Sequence, residues 1–165
     1  MRVPALLLSS CLAIGAGAAL ARSLVPVLYF DGFGPIRIGM SPAQVRATGA
    51  TLAEDPRFAC DQVDVTSRPG LVAMFVDGRL ARLEVDAPGI ATLSGAQVGM
   101  TEAQVQALYG GRLLTEPHKY DPTGHYLLLF SADRKRALVF ETDGTRITDI
   151  HVGEAEAAQY VEGCL

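Results

Sequence analysis

A ten-residue motif occurs twice in this chain, the second copy sixty residues after the first. Ile38–Ala47 aligns with Val98–Ala107, and six of the ten positions are identical. Self-similarity at a fixed spacing is the signature of a repeated structural unit. The duplication therefore favours a fold in which the same local structure is built twice.

The motif has the pattern of a helix start. Ser41 and Thr101 are good N-cap residues, and each is followed three residues later by a glutamine, Gln44 or Gln104, as in a capping box. Pro42 falls at the first helical position, where its missing N–H is harmless. We expect one short capped helix in each copy.

Two Asp-Gly turns predict a β-hairpin after each helix. Asp77-Gly78 and Asp143-Gly144 both lie between apolar runs, and a type I′ turn requires positive φ at its two central residues. A further strand precedes each hairpin, at residues 60–65 and 125–130. The strands flanking the turns are Leu71–Val76 and Arg79–Val85 in the first copy, then Arg136–Thr142 and Thr145–Val152 in the second.

These elements predict an α+β protein made of two tandem helix-plus-antiparallel-meander repeats, forming one domain with a shared or adjacent antiparallel sheet. Repeat 1 covers about 33–89 and repeat 2 about 93–152, with a C-terminal tail at 153–165. Arg82 and Glu84 alternate with apolar residues, which predicts one buried sheet face and one in water. His151 is expected on the face in water.

The first 21 residues have the composition of an export signal. Arg2 precedes an apolar stretch, and Ala19-Leu20-Ala21 is a small-x-small cleavage site. Cleavage would leave 144 residues, the size of one domain. Two alternatives remain open, a membrane anchor and a lipoprotein in which Cys11 is acylated.

Cleavage leaves two cysteines, Cys60 and Cys164, in a compartment where thiols oxidise. Neither has a C-x-x-C pattern or a nearby histidine, so we expect a disulfide rather than a metal site or a catalytic thiol. Cleavage also leaves 13 Lys and Arg against 18 Asp and Glu, a net charge of −5, which disfavours nucleic acid as a partner. We expect a periplasmic or secreted protein with no membrane span after cleavage.

The Ile/Val-Gly-Met-Ser/Thr-x-x-Gln-Val motif, leading into a short helix and a meander and present twice in an exported chain, resembles the β-lactamase-inhibitor-protein-like group. It is also similar to the single-copy SmpA/OmlA lipoproteins of outer-membrane assembly. The resemblance implies a sheet that presents a surface to another macromolecule, with no cofactor and no catalysis. In the inhibitor branch each repeat has its own disulfide, whereas here one pair would span both repeats, so no binding residue is carried over.

One loop distinguishes the two copies. Residues 109–126 hold two of the three histidines and three of the five tyrosines, whereas the counterpart at 53–68 holds neither type. Function is commonly carried by loops on a scaffold, and tyrosines suit recognition surfaces. The candidate binding residues are Tyr109, His118, Tyr120, His125 and Tyr126.

The sequence carries no catalytic signature such as Gly-x-Ser-x-Gly or Ser-x-x-Lys. His118, Asp121 and His125 are residue types that zinc accepts, but their spacing matches no common site. We therefore expect a non-enzymatic binding module without a cofactor, which recognises a protein in the cell envelope or outside the cell, as an inhibitor-like or envelope-associated protein. A small-ligand or glycan binder is the alternative, and a metal-dependent hydrolase is the third hypothesis.

Overall fold

The computed structural model describes residues 26–164, so the predicted signal peptide (1–21) and Cys11 lie outside the described residues. Within this range, ten strands form two antiparallel sheets, together with two α-helices and a 3-10 helix. The same range contains no helix long and apolar enough to cross a membrane. The elements are β1 Leu28–Tyr29, β2 Gly32–Phe33, β3 Ile36–Arg37, α1 Pro42–Ala47, β4 Cys60–Asp64, β5 Leu71–Val76, β6 Arg79–Val85, α2 Glu102–Tyr109, β7 Leu114–Pro117, β8 His125–Phe130, β9 Arg136–Thr142, β10 Ile147–Glu154 and the 3-10 helix Ala157–Gln159.

The larger sheet has seven strands in the order β4-β5-β6-β10-β9-β8-β7, and the smaller contains β1, β2 and β3. Both predicted hairpins are present, β5–β6 and β9–β10. The predicted two-residue turn is found only in the first, because residues 143–146 connect β9 to β10 and Asp143 does not have a positive φ. Asp77 and Gly78 have φ values of 47° and 72°, as a turn with two left-handed residues requires. The two meanders join through β6 and β10, where Glu84 lies opposite His151.

Gly153 permits the close approach of the two central strands. A β-carbon at this position would lie 2.1 Å from the carbonyl oxygen of Ala81 in β6. Because real β-carbons do not approach backbone atoms so closely, only glycine allows β10 to lie against β6 here without displacing the backbone.

The inner face of the large sheet forms the core with the helices and the small sheet. Both predicted capping boxes are present, at Ser41 and Thr101. α1 buries one side chain, Val45, and α2 buries Val105 and Tyr109 against this face. α2 ends at Gly110, which has a left-handed conformation with φ of 58°.

The predicted α+β class with two helix-plus-meander repeats is wrong. The molecule is mostly β, with an additional three-stranded sheet and helices of only six and eight residues. The physical reason is that a capping box starts a helix but does not determine its length. α1 buries one side chain and α2 buries two, so neither helix has an extended apolar face. A longer helix would need such a face, because packing supplies most helical stability.

The outer face is crossed by residues 155–164, which we call the C-terminal arm. Ala157 packs against Met74 and Ala81, and Ala158 packs against strands β8 and β9. The predicted disulfide between Cys60 and Cys164 is confirmed, and it fixes the end of the arm to β4. The expectation of an outer face fully in water is therefore wrong, because the arm covers its centre.

Candidate functional site

Cross-strand pairing concentrates polar side chains on the outer face beside the arm. Glu84 in β6 lies opposite His151 in β10. Asp149, two residues before His151 in β10, lies opposite Glu141 in β9. Successive same-face positions on neighbouring strands are close enough for side chains to interact. These four side chains line a cavity of about 320 Å³, which we call the acidic cleft. Its other lining residues are Gln62, Arg82 and the arm residues 161–163.

Arg82 is the buried cation of the acidic cleft, with only 2% of its surface exposed. Its Nη2 donates to Glu84 Oε2 at 2.6 Å, and its Nη1 donates to the backbone carbonyls of Tyr160 at 2.8 Å and Ala157 at 3.3 Å. Burial lowers the pKa of Arg82 and raises the pKa of Glu84, while their mutual attraction opposes both shifts. We treat the two as an ion pair, because guanidinium groups stay protonated in proteins.

His151 is buried, so the expectation that it faces water is wrong. It retains 6% exposure because the arm lies over it, and its Nδ1 is 3.3 Å from the carbonyl oxygen of Ala158. A carbonyl only accepts, so Nδ1 carries the proton and Nε2 keeps a free lone pair. Burial and the charge of Arg82 lower the pKa of His151 to about 3, which leaves the imidazole neutral.

Asp149 is the carboxylate most perturbed by its surroundings. Burial raises its pKa to about 6, and the neighbouring charges of Glu84 and Glu141 add to the effect. Four carboxylates, those of Glu84, Glu141, Asp149 and Glu162, therefore line the acidic cleft with one guanidinium. This excess of negative charge makes the cleft a place for a cationic group.

His118 connects the acidic cleft to the loop that the sequence singled out. Its Nδ1 accepts hydrogen bonds from the backbone N–H groups of Tyr120 and Asp121, at 3.1 and 2.9 Å. The proton is therefore on Nε2, which donates to Glu141 at 2.8 Å. The ring also stacks on Tyr126 with 4.7 Å between centroids, so His118 fixes the conformation of the loop.

The five predicted binding residues lie in three different places. His118, Tyr120 and Tyr126 belong to the outer side of the sheet, and Tyr120 is 60% exposed. His125 begins β8 and pairs with Glu102 of α2 at 2.8 Å. Tyr109 is 3% exposed, so it is a core residue and not part of a recognition surface with the others.

Tyr109 is held in the core by two contacts. Its hydroxyl donates to Thr92 Oγ1 at 2.9 Å, and its ring packs on Phe140. It also borders a cavity of about 350 Å³ that is lined by Tyr29, Leu93 and Leu138 among others. This cavity lies apart from the acidic cleft, since the two have no lining residue in common.

The three residues that a metal-dependent hydrolase would require do not converge. His118 and His125 are bonded to different carboxylates, and Asp121 accepts hydrogen bonds from the backbone N–H and hydroxyl of Thr123. Within residues 26–164, the group whose ligand atoms do come together is Glu84, Asp149 and His151. A hydrolase built on the three loop residues therefore has no support from the geometry.

Sequence reasoning missed the acidic cleft. The alternation of β6 and β10 places Arg82 with Glu84, and Asp149 with His151, on one strand face each. This signal was readable as an i, i+2 pattern of charged residues. The cleft forms only because β6 pairs with β10 and the arm covers both strands. These contacts join distant parts of the chain.

The chain matches no protein-family model, and comparison with curated proteins and solved structures gives no significant match either. The resemblance of the duplicated motif to the β-lactamase-inhibitor-protein-like group stays a prediction for that reason.

Proposed function

We propose that this is an exported, non-enzymatic binding protein that recognises a protein partner through the edge surface, defined as β7 (Leu114–Pro117) and the loop at 118–124. The periplasm or the extracellular space is its proposed location, because the Cys60–Cys164 disulfide is of the kind that oxidising compartments maintain. The observation that carries the proposal is the exposed outer edge of β7.

β7 is the terminal strand of the seven-stranded sheet, and all four of its residues are exposed. Within the described part of the chain, β8 is its only strand neighbour. The other side of β7 therefore presents backbone polar groups to which an extended segment of another protein can add as a strand, although Pro117 has no N–H to donate.

Side chains at this edge favour a protein partner. Leu114 is 52% exposed and Tyr120 is 60% exposed, so an aliphatic and an aromatic group flank the free edge. Aromatic anchors contribute strongly to protein interfaces. His118 holds the Tyr120 backbone in place, and this preorganisation reduces the entropy lost on binding.

The experiment is site-specific photo-crosslinking from position 115 in cells that export the protein, followed by binding measurements with the purified crosslinked partner. We expect Leu114→Lys and Tyr120→Ala each to weaken binding by about tenfold or more, the loss typical of an anchor residue. Leu108→Lys and Phe58→Ala are matched controls, since both residues are exposed elsewhere. Equal affinity of edge variants and controls would refute the edge surface as the binding site.

A small-ligand function is the second candidate, favoured by the cavity beside Tyr109. Its volume of about 350 Å³ falls in the range of ligand pockets, roughly 300–1,000 Å³. A thermal-shift screen of sugars and apolar metabolites tests it. We expect a ligand of this cavity to raise the melting temperature of the wild type but not of Leu138→Phe, which narrows the cavity. A ligand that stabilises both equally does not bind there.

A further inference from the structure

We propose that the acidic cleft binds one divalent transition-metal ion of the zinc type, with His151 Nε2 and the carboxylates of Glu84 and Asp149 as its protein ligands. This site is separate from the edge surface and does not depend on it.

The three side chains are held on the two central strands of the large sheet. Asp149 and His151 are two residues apart on one face of β10, and Glu84 lies directly opposite His151 on β6. One potential ligand atom from each lies within 4.8 Å of the others. Zinc–ligand bonds of about 2.0–2.2 Å in a tetrahedral site place ligand atoms roughly 3.3–3.6 Å apart, so side-chain movements of up to about 1.5 Å would complete the site.

The strongest indication of a cation is the orientation of His151. Its side chain is 92% buried, and its Nδ1–H donates to the Ala158 carbonyl, so Nε2 carries the lone pair. Nε2 lies 3.7 Å from Glu84 Oε2 and makes no hydrogen bond within the described residues. Glu84 Oε2 already accepts from Arg82 and Gln62, so Nε2 is the acceptor left without a donor, and a metal ion in the cleft would satisfy it. Metal-bound histidines commonly donate their other ring N–H to a backbone carbonyl, as His151 does to Ala158.

The charges around the cleft support a dication. Glu84, Asp149 and Glu141 all line it, and Arg82 is the only buried cation among its lining residues. Arg82 contacts one oxygen of Glu84, Oε2, and leaves Oε1 for a metal. The Glu141 carboxylate already binds His118, so it is placed to accept from a metal-bound water rather than to complete the first shell.

The ligand set indicates which ions fit. One imidazole with two carboxylates suits zinc, which accepts both nitrogen and oxygen ligands, and it disfavours calcium and magnesium, which prefer all-oxygen sites. The cavity volume of about 320 Å³ leaves room for water in the remaining coordination positions.

The experiment is a calorimetric titration of the chelator-treated, oxidised protein with Zn²⁺, and separately with Ca²⁺. We expect one Zn²⁺ per chain, a higher melting temperature with Zn²⁺, and no saturable Ca²⁺ binding. Cobalt titration supplies a spectroscopic readout, because ligand-field bands report a nitrogen and oxygen environment directly. Neither measurement needs the protein partner, so failure here is separable from failure of the proposed edge surface.

Matched variants identify the ligands. Asp149→Asn, Glu84→Gln and His151→Gln should each weaken Zn²⁺ binding at least tenfold. Glu154→Gln makes the same change at an exposed position of β10, and His125→Gln removes a half-exposed histidine. Both controls should bind Zn²⁺ like the wild type.

Several results would overturn the site: folded wild type without saturable Zn²⁺ binding, ligand variants that bind as tightly as the wild type, or a loss in His125→Gln that equals the loss in His151→Gln. If His151→Gln does not fold, Asp149→Asn decides, because replacing a crowded carboxylate with an amide should leave the apo protein folded.

Discussion

Replacing both Cys60 and Cys164 with alanine tests how much the disulfide stabilises the protein. The bridge joins residues 104 positions apart, and loop-closure entropy for about 100 residues corresponds to an upper value of about 4.7 kcal/mol. Both cysteines also contact a small apolar cluster around Met74 and Ala157, and alanine keeps the β-carbon there. We expect the free energy of unfolding to fall by about 3–4 kcal/mol.

The assay is equilibrium unfolding in urea, followed by circular dichroism. With a slope of about 2 kcal/mol per molar urea, the midpoint should fall by roughly 1.5–2 M. The native fold should change little, because the bonds from Arg82 to the carbonyls of Ala157 and Tyr160 do not involve the sulfur atoms. Amide NMR signals of the arm should therefore stay near their wild-type positions.

Wild type reduced with dithiothreitol is the control, since it lacks the bridge but keeps both side chains. Its unfolding midpoint should match that of the double-alanine variant. The reasoning fails if the variant unfolds at the wild-type urea concentration. It also fails if the arm signals are lost from the folded variant, because the bridge would then act on the native state instead of the unfolded chain.

Three further predictions concern the central strands. Arg82→Met should destabilise the protein by about 3 kcal/mol in urea unfolding, because Glu84 would lose the partner of its buried ion pair; a wild-type midpoint would contradict this. In metal-free protein, burial beside Glu84 and Glu141 raises the pKa of Asp149 from its ordinary 3.8 to about 6. Between these two values the folded state holds a proton that the unfolded chain releases. Stability should therefore fall by about 1–2 kcal/mol, discounted for partial solvation, as pH rises from 4 to 7, and Asp149→Asn should lack this part of the fall; equal falls in both proteins would show that Asp149 is not the group responsible. Gly153→Ala should lower the melting temperature by several degrees through its clash with the backbone of β6, whereas Gly95→Ala, which meets no atom within 4 Å, should lower it less.

Local features of the fold could be predicted from the sequence because their causes are local. The Asp77-Gly78 turn, the two capping boxes and the strands beside them follow from neighbouring residues. The disulfide could be predicted because cleavage of the signal would leave only Cys60 and Cys164 to pair. The fold class was wrong because the same capping signal is compatible with a long helix and with one of six residues.

The site was harder to predict because it depends on contacts between distant segments. Nothing near His151 in the sequence indicates that the arm buries it, and Arg82 has the spacing of a solvent-facing strand residue. Tyr109 was placed with the recognition residues because of its neighbours in the loop, but it belongs to the buried face of α2. A site that forms because a distant segment of the chain buries it leaves little trace in a single sequence.

The position of β10 in the sheet has a consequence for the order in which the protein can form during synthesis. β6 is an interior strand, yet its second neighbour begins at Ile147, more than sixty residues after Val85. A chain that emerges from its N-terminus therefore exposes one edge of β6 until nearly all of it has been synthesised. Unpaired edges invite association with other chains, so the first half should require protection by a chaperone until β10 arrives.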